Sequence, residues 1–328
     1  MNKYTLTLLI ASTGFAFGQT YAPAAGESGS TAIVYDDVQF VNWASNVEIQ
    51  RGYLDISDTS VYQLGSNKAS FGSPSDAIGP ATTITTNTVS LGDSGVAVAT
   101  FPLPITNGAG FDFAVFENSF DDTYLELAHV EVSSDGINYV RFPSHSQTQT
   151  NTSIGGFGFL DPTYLHNLAG KYGAGWGTPF DLEELKDSAN LNIDAITHVK
   201  IIDVVGAIDS YGTSDSYGNK INDPYPTPFS SGGFDLSAIG VIHQATLGLS
   251  SEEIRFLVYP NPSRGEISIE LNGLGLKSLV ITNSLGRKVE QISISNTQEK
   301  LSFNLPKGVY FIHLKNDSKV KSQRVVIQ

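Results

Sequence analysis

The 328-residue chain has no cysteine and a single methionine. Without cysteine there are no disulfides, no thiolate metal sites, no cysteine nucleophile and no lipid-modified N-terminal Cys. Charged residues make up only 16%, and through the body of the chain one sign is almost missing. Residues 19–250 carry 7 Lys and Arg against 26 Asp and Glu, a net of −19, whereas residues 251–328 come to +4. Phosphate backbones are bound by clustered positive charge, so this composition does not suit nucleic acid. No apolar run reaches the ~20 residues a membrane-spanning helix needs.

Familiar catalytic signatures are missing too. There is no His-Glu-x-x-His and no close pair among the six histidines, so a zinc hydrolase has no visible ligand set. No glycine-rich nucleotide loop follows a strand and opens a helix. The segment Gly92-Asp93-Ser94-Gly95 has the form of a serine-protease nucleophile, but all six histidines follow Ser94 where that family places its His earlier. It reads as a polar turn. Carboxylate pairs for glycoside hydrolysis, among them Glu117, Glu126 and Glu131, stay open, because 26 acids select none of themselves.

What is present points to strands. Hydrophobic residues make up 40% of the chain, enough for a core, and 32 glycines imply many turns. Phe111, Phe113 and Val115 recur at alternate positions in one segment. Residues 129–133 and 137–142 flank Asp135-Gly136 and predict a hairpin. Residues 197–205 are apolar on both faces, as in a central strand, and residues 234–243 form another strand. Pro179 followed by acidic residues predicts a helix over 178–189. Many short strands separated by turns predict an all-β chain: a large jelly-roll-like β-sandwich over 19–246, then a linker at 247–255 and a small immunoglobulin-like β-sandwich over 256–328. Residues 1–18 read as a signal peptide, with Lys3, an apolar stretch from Leu6 to Ala16, and small residues before a cut after Gly18.

The last 73 residues carry four ordered motifs: Val258-Tyr-Pro-Asn-Pro-Ser-Arg-Gly265, Asn283-Ser-Leu-Gly-Arg-Lys-Val289, Leu305-Pro-Lys-Gly-Val-Tyr-Phe311 and the basic-then-apolar run from Lys319 to Gln328. In these motifs the module resembles the type A sorting domain of the type IX secretion system. The resemblance implies that residues 256–328 engage that machinery. It implies export across the outer membrane, then release or attachment at the surface. It says nothing of the cargo's activity.

The body has its own grammar: Phe111-Asp-Phe-Ala-Val-Phe-Glu-Asn118, Val130-Glu-Val-Ser-Ser-Asp-Gly136, Ile201-Ile-Asp-Val-Val-Gly206 and Ser231-Gly-Gly-Phe-Asp-Leu-Ser-Ala-Ile-Gly-Val241. It is similar to a group of bacterial cell-surface proteins with galactose-binding-like jelly rolls, which implies binding without naming the ligand. Carboxylates sit at strand ends beside glycine-rich loops, an arrangement able to supply the six to eight oxygens calcium takes. The expected calcium ligands are Glu117, Asn118, Asp203, Asp209, Asp215, Asp223 and Asp235. The spacing is not that of an EF-hand, since the twelfth position from Asp209 is Lys220 and from Asp215 is Pro226. Two irregular intervals, 144–177 and 206–233, are rich in aromatics; Tyr172, Trp176, Tyr211, Tyr217 and Tyr225 are the expected ligand contacts, suited to stacking on sugar rings. The leading expectation is a calcium-stabilised surface protein that binds a glycan or glycoconjugate. A glycan-cleaving hydrolase, an adhesive surface protein and capture of another nutrient such as a corrinoid are the alternatives.

Overall fold

Alternating apolar residues bounded by glycine and Asx turns leave little room for helix, and the computed structural model shows strand as the regular structure of the described residues, apart from three short 3-10 turns. It describes residues 20–245, 255–272, 276–294, 298–315 and 320–328. The expected signal peptide and the expected linker up to residue 254 lie outside the described residues. The chain divides into two compact units, Met1–Thr246 and Leu247–Gln328.

Two five-stranded antiparallel sheets build the first unit. One runs β1 (Ile33–Val34), β11 (Trp176–Phe180), β6 (Phe113–Phe116), β14 (Ala238–Val241), β2 (Asn42–Trp43). The other runs β3 (Asn46–Gln50), β5 (Val96–Ile105), β12 (Ile196–Asp203), β7 (Ala128–Ser133), β8 (Val140–Arg141). Two small ladders complete it, β4 (Val89–Ser90) with β13 (Asp235–Leu236), and β9 (His145–Ser146) with β10 (Leu165–His166). Along the chain, β5, β6, β7, β11, β12 and β14 alternate between the two large sheets, in the manner of a jelly roll.

The core lies between the sheets. Ala97 and Ala99 of β5, Val130 and Val132 of β7, and Val199 and Ile201 of β12 face Phe113, Val115, Phe180, Ile239 and Val241. Strand β6 is buried on both faces. Phe113 and Val115 enter this core, while Ala114 and Phe116 pack with Ile33, Phe40 and Trp43 on the other side. That explains why Phe113–Phe116 is an unbroken apolar run where a half-exposed strand would alternate with polar residues. A third cluster of Leu125, Leu127, Leu160, Leu165, Leu168, Val204 and Ile221 underlies the two irregular intervals, so these loops have cover of their own.

Several expectations hold locally. β7 and β8 form the hairpin around Asp135-Gly136, with the Asp135 carboxylate accepting the amides of Ile137 and Asn138 at 2.8 Å. β12 is central, paired with β5 and β7. The strand over 234–243 is instead two short strands in different sheets, β13 and β14, separated at Ser237. The helix expected over 178–189 is corrected. Thr178, Pro179 and Phe180 pair with β6, and only one turn of 3-10 helix follows, Leu182–Leu185, capped by Asp181. Burial of Phe180, Leu182 and Leu185 in the sandwich overrides the local helix signal.

The second unit is a smaller sandwich. One sheet runs β15 (Arg255–Tyr259), β16 (Glu266–Asn272), β19 (Gln298–Asn304), and the other β18 (Lys288–Ser293), β17 (Ser278–Asn283), β20 (Gly308–Lys315), β21 (Val320–Ile327). Ile267, Ile269, Leu279, Ile281, Ile312, Leu314 and Val325 fill its core. The β17–β18 turn is held by Asn283, whose Oδ1 accepts the amides of Leu285 and Arg287, and Gly286 takes the left-handed backbone at φ 76°.

Candidate functional site

The carboxylates Asp93, Glu117, Glu126, Asp203, Asp223 and Asp235 are all buried. An unpaired buried charge is costly, so each needs a partner. For three of them the partner is backbone. Asp203, at the end of β12, accepts the Phe234 amide at 2.7 Å and the Ser94 amide at 2.9 Å. Asp223 accepts the Leu127 amide and Asp93 the Ile56 amide, both at 2.8 Å. Each joins segments far apart in sequence. Gly233 is required beside Asp203: its φ is 72°, and a Cβ there would meet the Asp203 Oδ1 at 2.7 Å. Burial pushes the acid of Asp93 up to about 7 and that of Asp203 well above the usual range, with the Asp93 charge adding to the Asp203 shift.

The other three acids meet one another. Glu117 directly follows β6, Glu126 lies shortly before β7, and Asp235 opens β13 opposite Ser90 of β4. Ligand oxygens of all three lie within 4.8 Å of one another, at residue exposures of 2%, 9% and 6%. Glu117 Oε2 accepts the Ser119 amide at 2.7 Å, and Asp235 Oδ2 accepts from Asn118 Nδ2 at 3.1 Å. Glu117 Oε1, Asp235 Oδ1 and the Ser90 hydroxyl oxygen are buried with no hydrogen-bond partner. Leaving such an atom unmet costs about 1–3 kcal/mol. Burial, and then the charge of Asp235, raise the acids of Glu117 and Glu126 well above the ordinary range. Burial pushes Asp235 up to about 7, with the Ser90 hydroxyl, then Asn118 and Arg51, pulling the other way. The donors are oxygen alone, the set a hard cation takes.

The expected metal ligands therefore separate. Glu117 and Asp235 come together, and Asn118 touches Asp235. Asp203 and Asp223 are buried nearby but engage amides. Asp209 is exposed and accepts only the Tyr211 amide, at 2.9 Å. Asp215 organises its own turn, accepting the amides of Tyr217, Asn219 and Ser146. Neither belongs to the cluster, because Asx turns consume their oxygens. Glu126, which the metal reading had passed over, takes a place in it. Its signal was faint: one acid inside the run Leu125-Glu126-Leu127, where both neighbours are fully buried.

The expected aromatic contacts also disperse. Tyr172 is corrected outright, being buried with its hydroxyl bound to Thr31 at 2.8 Å. Trp176 is half-buried in β11, and Tyr225 binds Asp55 through its hydroxyl at 2.9 Å. Tyr211 and Tyr217 are exposed, Tyr217 against His145 with ring centres 4.5 Å apart. A connected surface of rings lies elsewhere. Phe120, Tyr124, Phe157 and Phe229 follow one another at centroid spacings of 6.5, 6.4 and 5.8 Å. Phe120 is 78% and Phe157 71% exposed. Two residues on, Phe159, 69% exposed, borders a groove of about 790 Å³ with Gln147, Gln149, Leu160, Asp161 and Tyr164. The repeat Gly155-Gly-Phe-Gly-Phe159 was the available sign, since large rings between glycines have no local cover. The rings and the acids share a segment: Phe120 and Tyr124 lie between Glu117 and Glu126, and burial followed by the Glu126 charge raises the Tyr124 phenol.

Residues 257–328 match the family described as the secretion system C-terminal sorting domain. The chain is an exported protein of the type IX route, delivered to the cell surface or secreted. No curated protein matches it. Among solved structures it is similar to the apo β-glucuronidase of Ruminococcus gnavus, at 10% identity over 72% of this chain and 36% of that one, with a TM-score of 0.17. The same enzyme with uronic isofagomine gives 10% identity over 87% and 44%, with a TM-score of 0.21. The chain thus spans less than half the length of these structures, and TM-scores this low carry nothing about activity. Among the described residues no helix is long and apolar enough to cross a membrane.

Proposed function

We propose that the first unit is a surface or secreted binding module whose ligand is a glycan or glycoconjugate. The observation that carries this reading is the run of rings from Phe120 to Phe229, exposed at Phe120, Phe157 and Phe229 and half-buried at Tyr124, beside the groove at Phe159. Aromatic faces offer apolar area with little conformational freedom to lose. The groove adds amides and a carboxylate at Gln147, Gln149 and Asp161, and its volume is that of a small-ligand site. A net charge of −19 on residues 19–250 disfavours polyanionic ligands. Glu117 and Glu126 are buried in the fold and Glu131 is paired with Arg141 and Lys200, so none of these three is free to flank a sugar, which favours binding over cleavage.

A panel of soluble glycans titrated against the full chain tests this. Binding without product release is expected, and Phe157→Ala with Phe159→Ala should weaken it roughly tenfold or more, the loss of about 1.4 kcal/mol of stacking. Unchanged affinity in the double variant would remove the assignment, and sugar release would turn it toward a hydrolase.

A further inference from the structure

We infer that Glu117, Glu126 and Asp235 hold a divalent cation, calcium by the chemistry of the donors. Two oxygens bound to one calcium ion lie at most about 5 Å apart, given ligand distances of 2.3–2.6 Å. The three carboxylates meet that condition, with oxygens within 4.8 Å of one another.

Proximity of acids alone would not identify a site. Here the fold also directs unmet polar atoms to the same place. Glu117 Oε1 and Asp235 Oδ1 are buried without partners, and so is the hydroxyl oxygen of Ser90, which pairs with Asp235 across β4 and β13. Ser90 is wholly buried, and its hydroxyl is turned toward the Asp235 carboxylate, whose acid it pulls down. Among the described residues the ion pairs involve Glu131, Glu183 and Asp112, and none reaches the cluster. Arg51, the cation whose charge bears on Asp235, gives its guanidinium to the carbonyls of Phe71, Ser90 and Gly72. One cation among the three carboxylates meets every one of these deficits at once.

The oxygen-only donor set disfavours zinc, which takes nitrogen and sulfur. Magnesium keeps several waters and binds through one or two carboxylates, whereas a buried group of three suits calcium. Such an ion ties Glu117 to Glu126 and so fixes both ends of the segment bearing Phe120 and Tyr124.

The test uses the full chain. Both tryptophans, Trp43 and Trp176, lie in the first unit, so their fluorescence follows its melting alone. Calcium at a hundred times its dissociation constant should raise the melting temperature by roughly 5–10 °C over the chelated protein. Elemental analysis of protein dialysed against calcium should find an ion that Glu126→Gln removes. If Glu126→Gln fails to fold, terbium luminescence on the unaltered chain, displaced by calcium, reads the same site. Equal melting with and without chelator, or equal protection by magnesium, would overturn the assignment. Since no sugar enters these measurements, they stand or fall apart from the glycan reading.

Discussion

The Asp203 carboxylate accepts the amide of Phe234 at 2.7 Å, tying the end of β12 to the chain entering β13. Its second oxygen takes the Ser94 amide, so one buried side chain satisfies two turns. Asparagine supplies only one such oxygen and would set an NH2 group against the other amide. We expect Asp203→Asn to cost about 1–3 kcal/mol, read as a lower urea midpoint, and to leave the calcium-induced rise in melting temperature intact. Loss of that rise with unchanged stability in the chelated protein would make Asp203 a ligand.

The buried acids set a pH dependence with a definite sign. Asp93 and Asp235 are held at about 7 in the folded chain by burial, against roughly 3.9 for an unfolded Asp. The folded state keeps protons that the unfolded state has lost, so their contribution is fully present below about pH 4 and is lost as the pH rises to about 7. In chelator, the first unit should melt at a lower temperature at pH 8 than at pH 5, each unit of raised pKa corresponding to about 1.4 kcal/mol. Saturating calcium should remove the Asp235 part of the profile, where an ion replaces the proton, and leave the Asp93 part. A chelated chain that melts highest at pH 8 would mean these acids are compensated by some other charge.

In the sandwich core, Phe113 stacks on Phe180 at 5.3 Å and meets Phe142 edge-on at 5.9 Å. Phe113→Ala should cost about 3–5 kcal/mol. Tryptophan fluorescence during urea unfolding would record it, and a cost under 1 kcal/mol would imply that the sheets close over the cavity.

Removal of residues 257–328 should leave the first unit inside the cell envelope of a type IX host. Immunoblots of surface, medium and periplasm would locate it. Delivery of the truncated chain to the surface would show a second export signal in the remainder.

The sequence was most informative where a strand is buried on one regular pattern or a turn needs one residue type. β12 was legible from its apolar run and the β7–β8 hairpin from Asp135-Gly136. The helix over 178–189 failed because Pro179 and Phe180 are drawn into pairing with β6, a long-range contact that local propensity does not record. At the site, Glu117 and Asp235 were legible as strand-end acids, but Glu126 was not, since its role depends on where β6, β7 and β13 meet. Asp209 and Asp215 resembled ligands for the reason that they are good turn formers. Tyr172 looked like a loop aromatic and is instead bound to Thr31, a residue 141 positions away.

The borders of the two large sheets carry one more consequence. In the sheet built around β6, both border strands, β1 and β2, are two residues long, and in the other sheet β8 is equally short and ends on Arg141. A free border with a long row of unpaired amides recruits strands from neighbouring molecules and seeds fibrils. Only β3, five residues with Glu48 exposed on it, offers such a row here. The first unit is therefore poorly equipped to add to another copy of itself along these borders, which suits a protein delivered to the cell surface or secreted.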